Sequence, residues 1–218
     1  GMVKYNLGRT DEHPQMRRFS FVEKAEARAE QTIHEIKRRF DERHAELRDY
    51  AELREEEALE AALDKLRHGH IIAVKGIGGY HLVCDARDYT VVDELRWRKH
   101  RPAKPFAVMF PLEGEDGLDR VRLYADLATG EAALLASPAR PIVLVSKNGN
   151  NDLARNVAPG LAELGVFLPY SPLHELLLDG FDAPLVATSA NISGEPVLTD
   201  NDEVESRIAN VVDAFLHH

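Results

Sequence analysis

"HIIAVKGIGGYHLVCDA", residues 70–86, is an apolar run, a cluster of glycines and a second apolar run. A strand followed by glycines invites a dinucleotide-binding reading, in which a Gly-rich turn opens a helix beneath a pyrophosphate. The spacing rejects it. After Gly76 and Gly78 the third glycine of that fingerprint falls at His81, and a strand rather than a helix follows. No Gly-Lys-Ser/Thr occurs either, so the P-loop is excluded. A tight turn between two strands explains the glycines, because glycine alone takes positive φ freely. It leaves Lys75, Tyr80 and His81 at a sheet rim, as the wall of a ligand site or, for the histidine, as a structural group.

Outward from this hairpin, strand and helix patterns alternate. "VVDELRWRK" (91–99) is helical, "FAVMF" (106–110) a strand, "LYADLATGEAALLAS" (123–137) mainly helical and "PIVLVSK" (141–147) a strand. A strand around Val166 precedes a helix in "LPYSPLHELLL", "PLVATSA" (184–190) is another strand, and "DNDEVESRIANVVDAFL" closes as a helix with a strand-like end. Such alternation predicts an α/β sheet with covering helices. Before the hairpin, Ala58, Leu59, Ala62, Leu63 and Leu66 share one helical face that stops at Gly69. Further upstream, apolar residues at 22, 25, 29, 33, 36 and 40 follow helical spacing, with Ser20 and Glu23 as a capping box. Residues 1–54 are therefore expected to be a helical N-terminal extension, and 55–218 the main domain. The extension helix either packs on its own domain or serves to dimerise.

Charge narrows the partners. The chain has a net charge of −10, and with 12 basic and 11 acidic side chains in residues 1–54, residues 55–218 hold 15 and 26. An acidic body repels a nucleic-acid backbone. One basic cluster interrupts it: "RWRKHRPAK", with Arg96, Arg98, Lys99, Arg101 and Lys104. Five cations exceed what a helix C-terminus needs for its dipole, and a small anion suits them. If the chain runs extended after Pro102 ends the helix, Lys99 and Arg101 project the same way and reach one anion together. The single cysteine, Cys84, fits a small buried hydrophobe and excludes an internal disulfide. No metal-ligand motif stands out. No apolar run is long enough to cross a membrane and no signal peptide opens the chain, so a cytoplasmic location is expected.

"TSANISGEP" (188–196) follows a strand directly. Thr188, Ser189 and Asn191 there offer hydroxyls, an amide and backbone N–H groups suited to phosphate or carboxylate oxygens, and equally suited to an Asx or Ser turn. Arg140, at the mouth of the strand "PIVLV", is a further candidate phosphate contact. His174 sits in the first turn of a helix, where the dipole favours its neutral form.

"AVKGIGGYHLVCDA", "RKHRPAKPFAVM", "RPIVLV", "APGLAELGVFLPYSPLHELLL", "LVATSANISGEPV" and "DAFLHH", in this order, resemble the YrdC-like domain of HypF-type carbamoyltransferases, which are hydrogenase maturation proteins. The resemblance covers about residues 55–218 and implies a YrdC-like twisted mixed sheet. It also implies adenylation of carbamate by ATP, giving carbamoyl-adenylate and pyrophosphate. Lys99 and Arg101 match the wider family's Lys-x-Arg pair, Ser189 and Asn191 its Ser-x-Asn loop. Lys75, Tyr80, His81, Lys104, Arg140 and Thr188 are then further nucleotide contacts. Magnesium carried on the triphosphate would need few protein carboxylates. "KHRPAKP" and "LPYSPLH" look like the carbamate branch rather than the tRNA-threonylcarbamoylation branch, which remains an alternative, as does an RNA-binding YrdC-like module. Family members normally carry acylphosphatase, zinc-finger and transfer domains and act with a hydrogenase maturation partner. None of those domains is present here, so an excised domain or a shortened relative is expected.

Overall fold

The computed structural model describes residues 5–7, 17–19, 53–149, 152–191 and 196–217, with side chains from residue 57 onward. The chain begins with β1 (Tyr5–Leu7) and β2 (Arg17–Phe19), then α1 (Leu53–Arg67) and the hairpin β3 (Ile72–Gly76) and β4 (Gly79–Asp85). Next come α2 (Tyr89–Arg98), β5 (Ala107–Met109), α3 (Asp119–Arg122), β6 (Ala125–Asp126), α4 (Thr129–Ala136) and β7 (Val143–Lys147). The rest is β8 (Glu163–Phe167), α5 (Pro172–Phe181), β9 (Leu185–Ser189), α6 (Asn201–Ile208) and β10 (Ala214–Leu216).

The strands form one mixed sheet, in the order β2-β1-β10-β3-β4-β9-β5-β8-β7-β6. β10 runs parallel to β3, and β5 parallel to β8; the other pairs are antiparallel. β9 enters between β4 and β5, which precede it by most of the domain. That insertion brings the end of β9 beside the residues that follow α2.

Each sheet face has its own apolar layer. On one side Val91, Val92 and Leu95 of α2, Leu135 of α4, and Val204 and Ile208 of α6 pack on Leu82, Cys84, Val108, Val186 and Phe215. On the other, Leu59, Leu63 and Leu66 of α1 and Leu177, Leu178 and Phe181 of α5 cover Ile72, Val74, Val83, Met109 and Leu185. Strands buried on both faces read as continuous apolar runs, which is why β3 and β4 are legible in the sequence. α1 and α5 approach closely at Gly180, where a Cβ would stand 2.4 Å from Leu63 Cδ1.

Two expectations change. Residues 1–54 are not helical throughout: β1 and β2 lie within them, and β1 extends the sheet by pairing with β10. The helix expected over 20–50 lies outside the described residues. "LYADLATGEAALLAS" opens with β6 rather than helix, because Ala125 and Asp126 pair with Lys147 and Ser146 at the sheet edge before α4 begins.

Candidate functional site

The site starts at the end of α2. Asp88 caps the start of this helix, its Oδ1 accepting from the backbone N–H of Thr90 at 2.8 Å and of Val91 at 3.3 Å. At the other end Lys99 is the last residue of helical conformation, and His100 then turns left-handed with φ 50°. The His100 N–H donates to Trp97 O, and Arg101 N–H donates to Arg96 O. This double closure is a Schellman motif, with histidine where glycine is usual. Lys99 and Arg101 therefore converge through a helix reversal. The strand-like alternation expected after Pro102 is not the cause.

Both side chains meet the loop that leaves β9. Lys99 Nζ donates to Ser189 O at 2.7 Å, Asn191 O at 3.1 Å and Asn191 Oδ1 at 3.2 Å. Ser189 Oγ donates to the same Asn191 Oδ1 at 2.8 Å. Arg101 donates to Thr188 Oγ1 at 3.0 Å and Lys104 O at 3.3 Å, and also to Pro105 O. Every one of these acceptors is neutral. Among the described residues no carboxylate pairs with Lys99, Arg101 or Lys104. Burial, then the neighbouring charges of Arg101 and Lys104, push the Lys99 ammonium down to about 8. Burial and the charge of Arg96 also lower the Arg101 guanidinium. Partly desolvated cations without counter-charge are stabilised by an incoming anion, and the geometry offers one.

A pH dependence follows from the Lys99 value. Below pH 8 Lys99 is charged in the free protein, and its contribution to anion affinity is constant. As pH rises through about 8, binding must first recover the proton, so affinity for a fully ionised phosphate ligand falls by up to about tenfold per pH unit. Calorimetric titration with ATP between pH 7 and 9.5 checks this. In Lys99→Arg, whose guanidinium stays charged, the fall is expected to vanish.

The basic cluster is not one patch. Arg96 is 5% exposed and turns into the protein. Arg98 is bound to Glu94 at 2.6 Å and Asp213 at 2.8 Å. Helical geometry separates them: residues 92, 95, 96 and 99 lie along one stripe of α2, and residue 98 projects elsewhere. Lys99, Arg101 and Lys104 are the cations left for a ligand.

The remaining candidates divide. Lys75 Nζ and the Tyr80 hydroxyl both donate to Asn201 Oδ1 at 2.6 Å. With its one proton so directed, Tyr80 accepts from His217 Nδ1 at 2.5 Å, and His217 Nε2 lies 2.9 Å from Glu205. Tyr80 is fully buried, so it supports the site from behind while its backbone holds the loop: Ala190 N–H donates to Tyr80 O at 2.8 Å. His81 faces the opposite side of the sheet, beside Tyr170 (Nε2 to hydroxyl, 3.0 Å) and His174 (ring centroids 5.6 Å apart). Burial lowers its pKa. Arg140 stands apart. Ala187, Ala107, Gly165 and Leu144 form one row across the sheet. Ser189 lies two residues to one side of that row, whereas β7 begins on the other side at Val143 and Arg140 precedes it in a turn, with φ 43°. The Arg140 side chain donates to Leu135 O at 3.2 Å. Register, invisible in a single sequence, decides this. Asn201, His217 and the inward role of Arg96 were missed. Only Arg96 left a signal, through its place on the apolar stripe of α2.

Residues 64–218 match the Sua5_yciO_yrdC family profile, described as "Telomere recombination". The chain is 46% identical over 162 residues to a carbamoyltransferase HypF of Synechocystis sp., covering 74% of this chain and 20% of that protein. It is 28% identical over 159 residues to a threonylcarbamoyl-AMP synthase of Vibrio cholerae, covering 72% of this chain and 82% of the relative. A crystal structure of full-length HypF in the phosphate- and nucleotide-bound form superposes with TM-score 0.69 at 42% identity, over 73% of this chain and 20% of that one. The chain thus spans about a fifth of the length of the carbamoyltransferases that it matches.

Proposed function

Because the chain belongs to the Sua5/YciO/YrdC family, we propose that it joins carbamate to the α-phosphate of ATP, giving carbamoyl-adenylate and pyrophosphate. The observation that carries this reading is a pair of cations, Lys99 and Arg101, without a carboxylate partner among the described residues and held against neutral acceptors at Ser189, Asn191 and Thr188. A carbamate oxygen attacks the α-phosphorus, a new P–O bond forms, and the bond to the β-phosphate bridging oxygen breaks. No net proton transfer is required, so the chain's contribution is placement and charge. Lys99, Arg101 and Lys104 draw the triphosphate in and stabilise the charge that grows on the leaving pyrophosphate. The Ser189 hydroxyl, donating to Asn191 Oδ1, holds that amide oxygen against the Lys99 ammonium and so fixes where the charge stands. Among the described residues no group of three or more histidine, cysteine or acidic side chains is placed to hold a metal; magnesium would come with the triphosphate.

Synthesis of threonylcarbamoyl-adenylate is the second reading, supported by the relative of which the chain covers 82%. The higher identity to the carbamoyltransferase favours carbamate. In the longer protein, acylphosphatase, zinc-finger and transfer domains would supply the carbamate and pass carbamoyl on toward a hydrogenase maturation partner. The test is exchange of labelled pyrophosphate into ATP, with bicarbonate plus ammonium in one arm and threonine plus bicarbonate in the other. Exchange that depends on carbamate and ignores threonine is expected. Exchange that depends on threonine overturns the assignment in favour of the second reading.

A further inference from the structure

We propose that Arg96 is a positioning residue that holds the Lys99–Arg101 reversal in its binding shape; this rests on the reading of that pair as the phosphate site. Within the basic cluster Arg96 differs from its neighbours in lying on the apolar stripe of α2, beside Val92 and Leu95. In the structure its guanidinium lies inside the protein, and every hydrogen bond it makes goes to a backbone carbonyl. Nε donates to Asn156 O at 2.6 Å and Nη2 to Val157 O at 3.1 Å. Nη1 faces Arg101 O at 2.8 Å, Lys104 O at 3.1 Å and Pro102 O at 3.4 Å. Three of the five acceptors thus belong to the loop that carries Arg101 and Lys104, and the other two to the segment packed beneath it.

A buried arginine ordinarily meets a carboxylate, because an unpaired charge in the interior is costly. Here a planar fork with five N–H groups replaces the carboxylate by several carbonyl dipoles. The arrangement also stacks on a ring: the guanidinium carbons of Arg96 and Arg101 lie 4.6 and 4.8 Å from the Phe106 centroid. Two like charges share one aromatic ring, so Arg96 both fixes the loop and adds positive potential behind it. Burial lowers the Arg96 pKa. The reversal needs such support, since His100 occupies a left-handed conformation that is unfavourable for a residue with a side chain. Lysine can place one ammonium but cannot span carbonyls on both sides of a plane.

The test compares wild type with Arg96→Lys and, as control, Arg98→Lys, which loosens the same helix from Asp213 without touching the loop. Hydrogen exchange is followed at the amides of His100 and Arg101, and ATP affinity is measured by calorimetry. In wild type the two amides are expected to be protected like the body of α2. In Arg96→Lys they exchange at least tenfold faster, Val92 and Leu95 stay protected, and ATP binds about 10–30-fold more weakly. Arg98→Lys lowers Tm and leaves ATP affinity within twofold. Unprotected amides in wild type, or unchanged exchange in Arg96→Lys, overturns the clamp. Faster exchange with no greater loss of ATP affinity than in Arg98→Lys reduces Arg96 to ordinary scaffolding and overturns the proposal equally. Should wild type fail to bind ATP, the phosphate-site reading falls, and hydrogen exchange still decides whether Arg96 holds the reversal. If Arg96→Lys does not fold, the wild-type protection of the two amides decides it.

Discussion

Lys99→Ala is expected to lower carbamate-dependent pyrophosphate exchange by about 10²–10³-fold, the usual cost of removing one preorganised charge-stabilising group from a transition state. The same substitution is expected to leave the protein as stable as before, or more stable at neutral pH. Lys99 is partly buried against neutral oxygens and carries like charges nearby, so folding lowers its pKa from 10.5 to about 8. The sign of the linkage is clear. The unfolded chain holds this proton between pH 8 and 10.5 while the folded chain has released it, so the charged ammonium opposes folding below about pH 8. That opposition disappears as pH rises past the unfolded value. Thermal melts at pH 7 should put Lys99→Ala at or above wild type, with any advantage gone by pH 10.5. A mutant that melts much lower than wild type at pH 7 would mean that Lys99 is there to hold the loop, and the anion-site reading would lose its support.

The second large effect is structural. Gly79→Ala is expected to cost about 3 kcal/mol, from a side chain in a strained φ and from overpacking together. Gly79 has φ +127°, and an added Cβ would stand 2.7 Å from Val197 Cγ1 and 2.8 Å from Leu198 O. The methyl of Val197 can move. The carbonyl cannot, because the next residue, Tyr80, donates its N–H to that same oxygen at 2.9 Å. For a chain of this size the loss is a fall of roughly 10 °C in Tm, read by calorimetry. Gly78, with nothing within 4 Å of its Cβ position, is the internal comparison. Gly78→Ala should change Tm by less than about 3 °C. Equal falls at both positions would show that the turn demands glycine for flexibility rather than for this contact.

The alternation of elements was legible because β3, β4 and β9 are buried on both faces and read as unbroken apolar runs, while α1 and α5 carry apolar stripes at helical spacing. That Lys99 and Arg101 reach one place together was legible from residue chemistry, their place beside the loop of Thr188, Ser189 and Asn191 only from the family resemblance, and the cause from neither. Nothing in "KHRP" announces a left-handed histidine. The sheet end at which the Arg140 turn enters β7 was not legible, because strand register depends on pairings across the whole sheet. Asn201 escaped notice for a related reason. It is 121 residues from Tyr80 and meets it only once β4 and α6 lie side by side. A single sequence reports local periods well and distant pairings poorly.

The insertion of β9 between two much earlier strands also sets an order of events in time. The Lys99–Ser189 contact closes 90 residues of chain, and the β3–β10 junction is sealed by a bond from Ile71 N–H to Asp213 spanning 142. Loops of that length close late, after the β3–β4 hairpin and the helices that need only their neighbours. The cation-rich reversal can therefore form while its other wall is still missing, and a ribosome-bound chain lacking β9 lacks that wall of the proposed nucleotide site. Capture of ATP becomes a timer: in a refolding experiment it should trail the appearance of helix and coincide with the final cooperative phase.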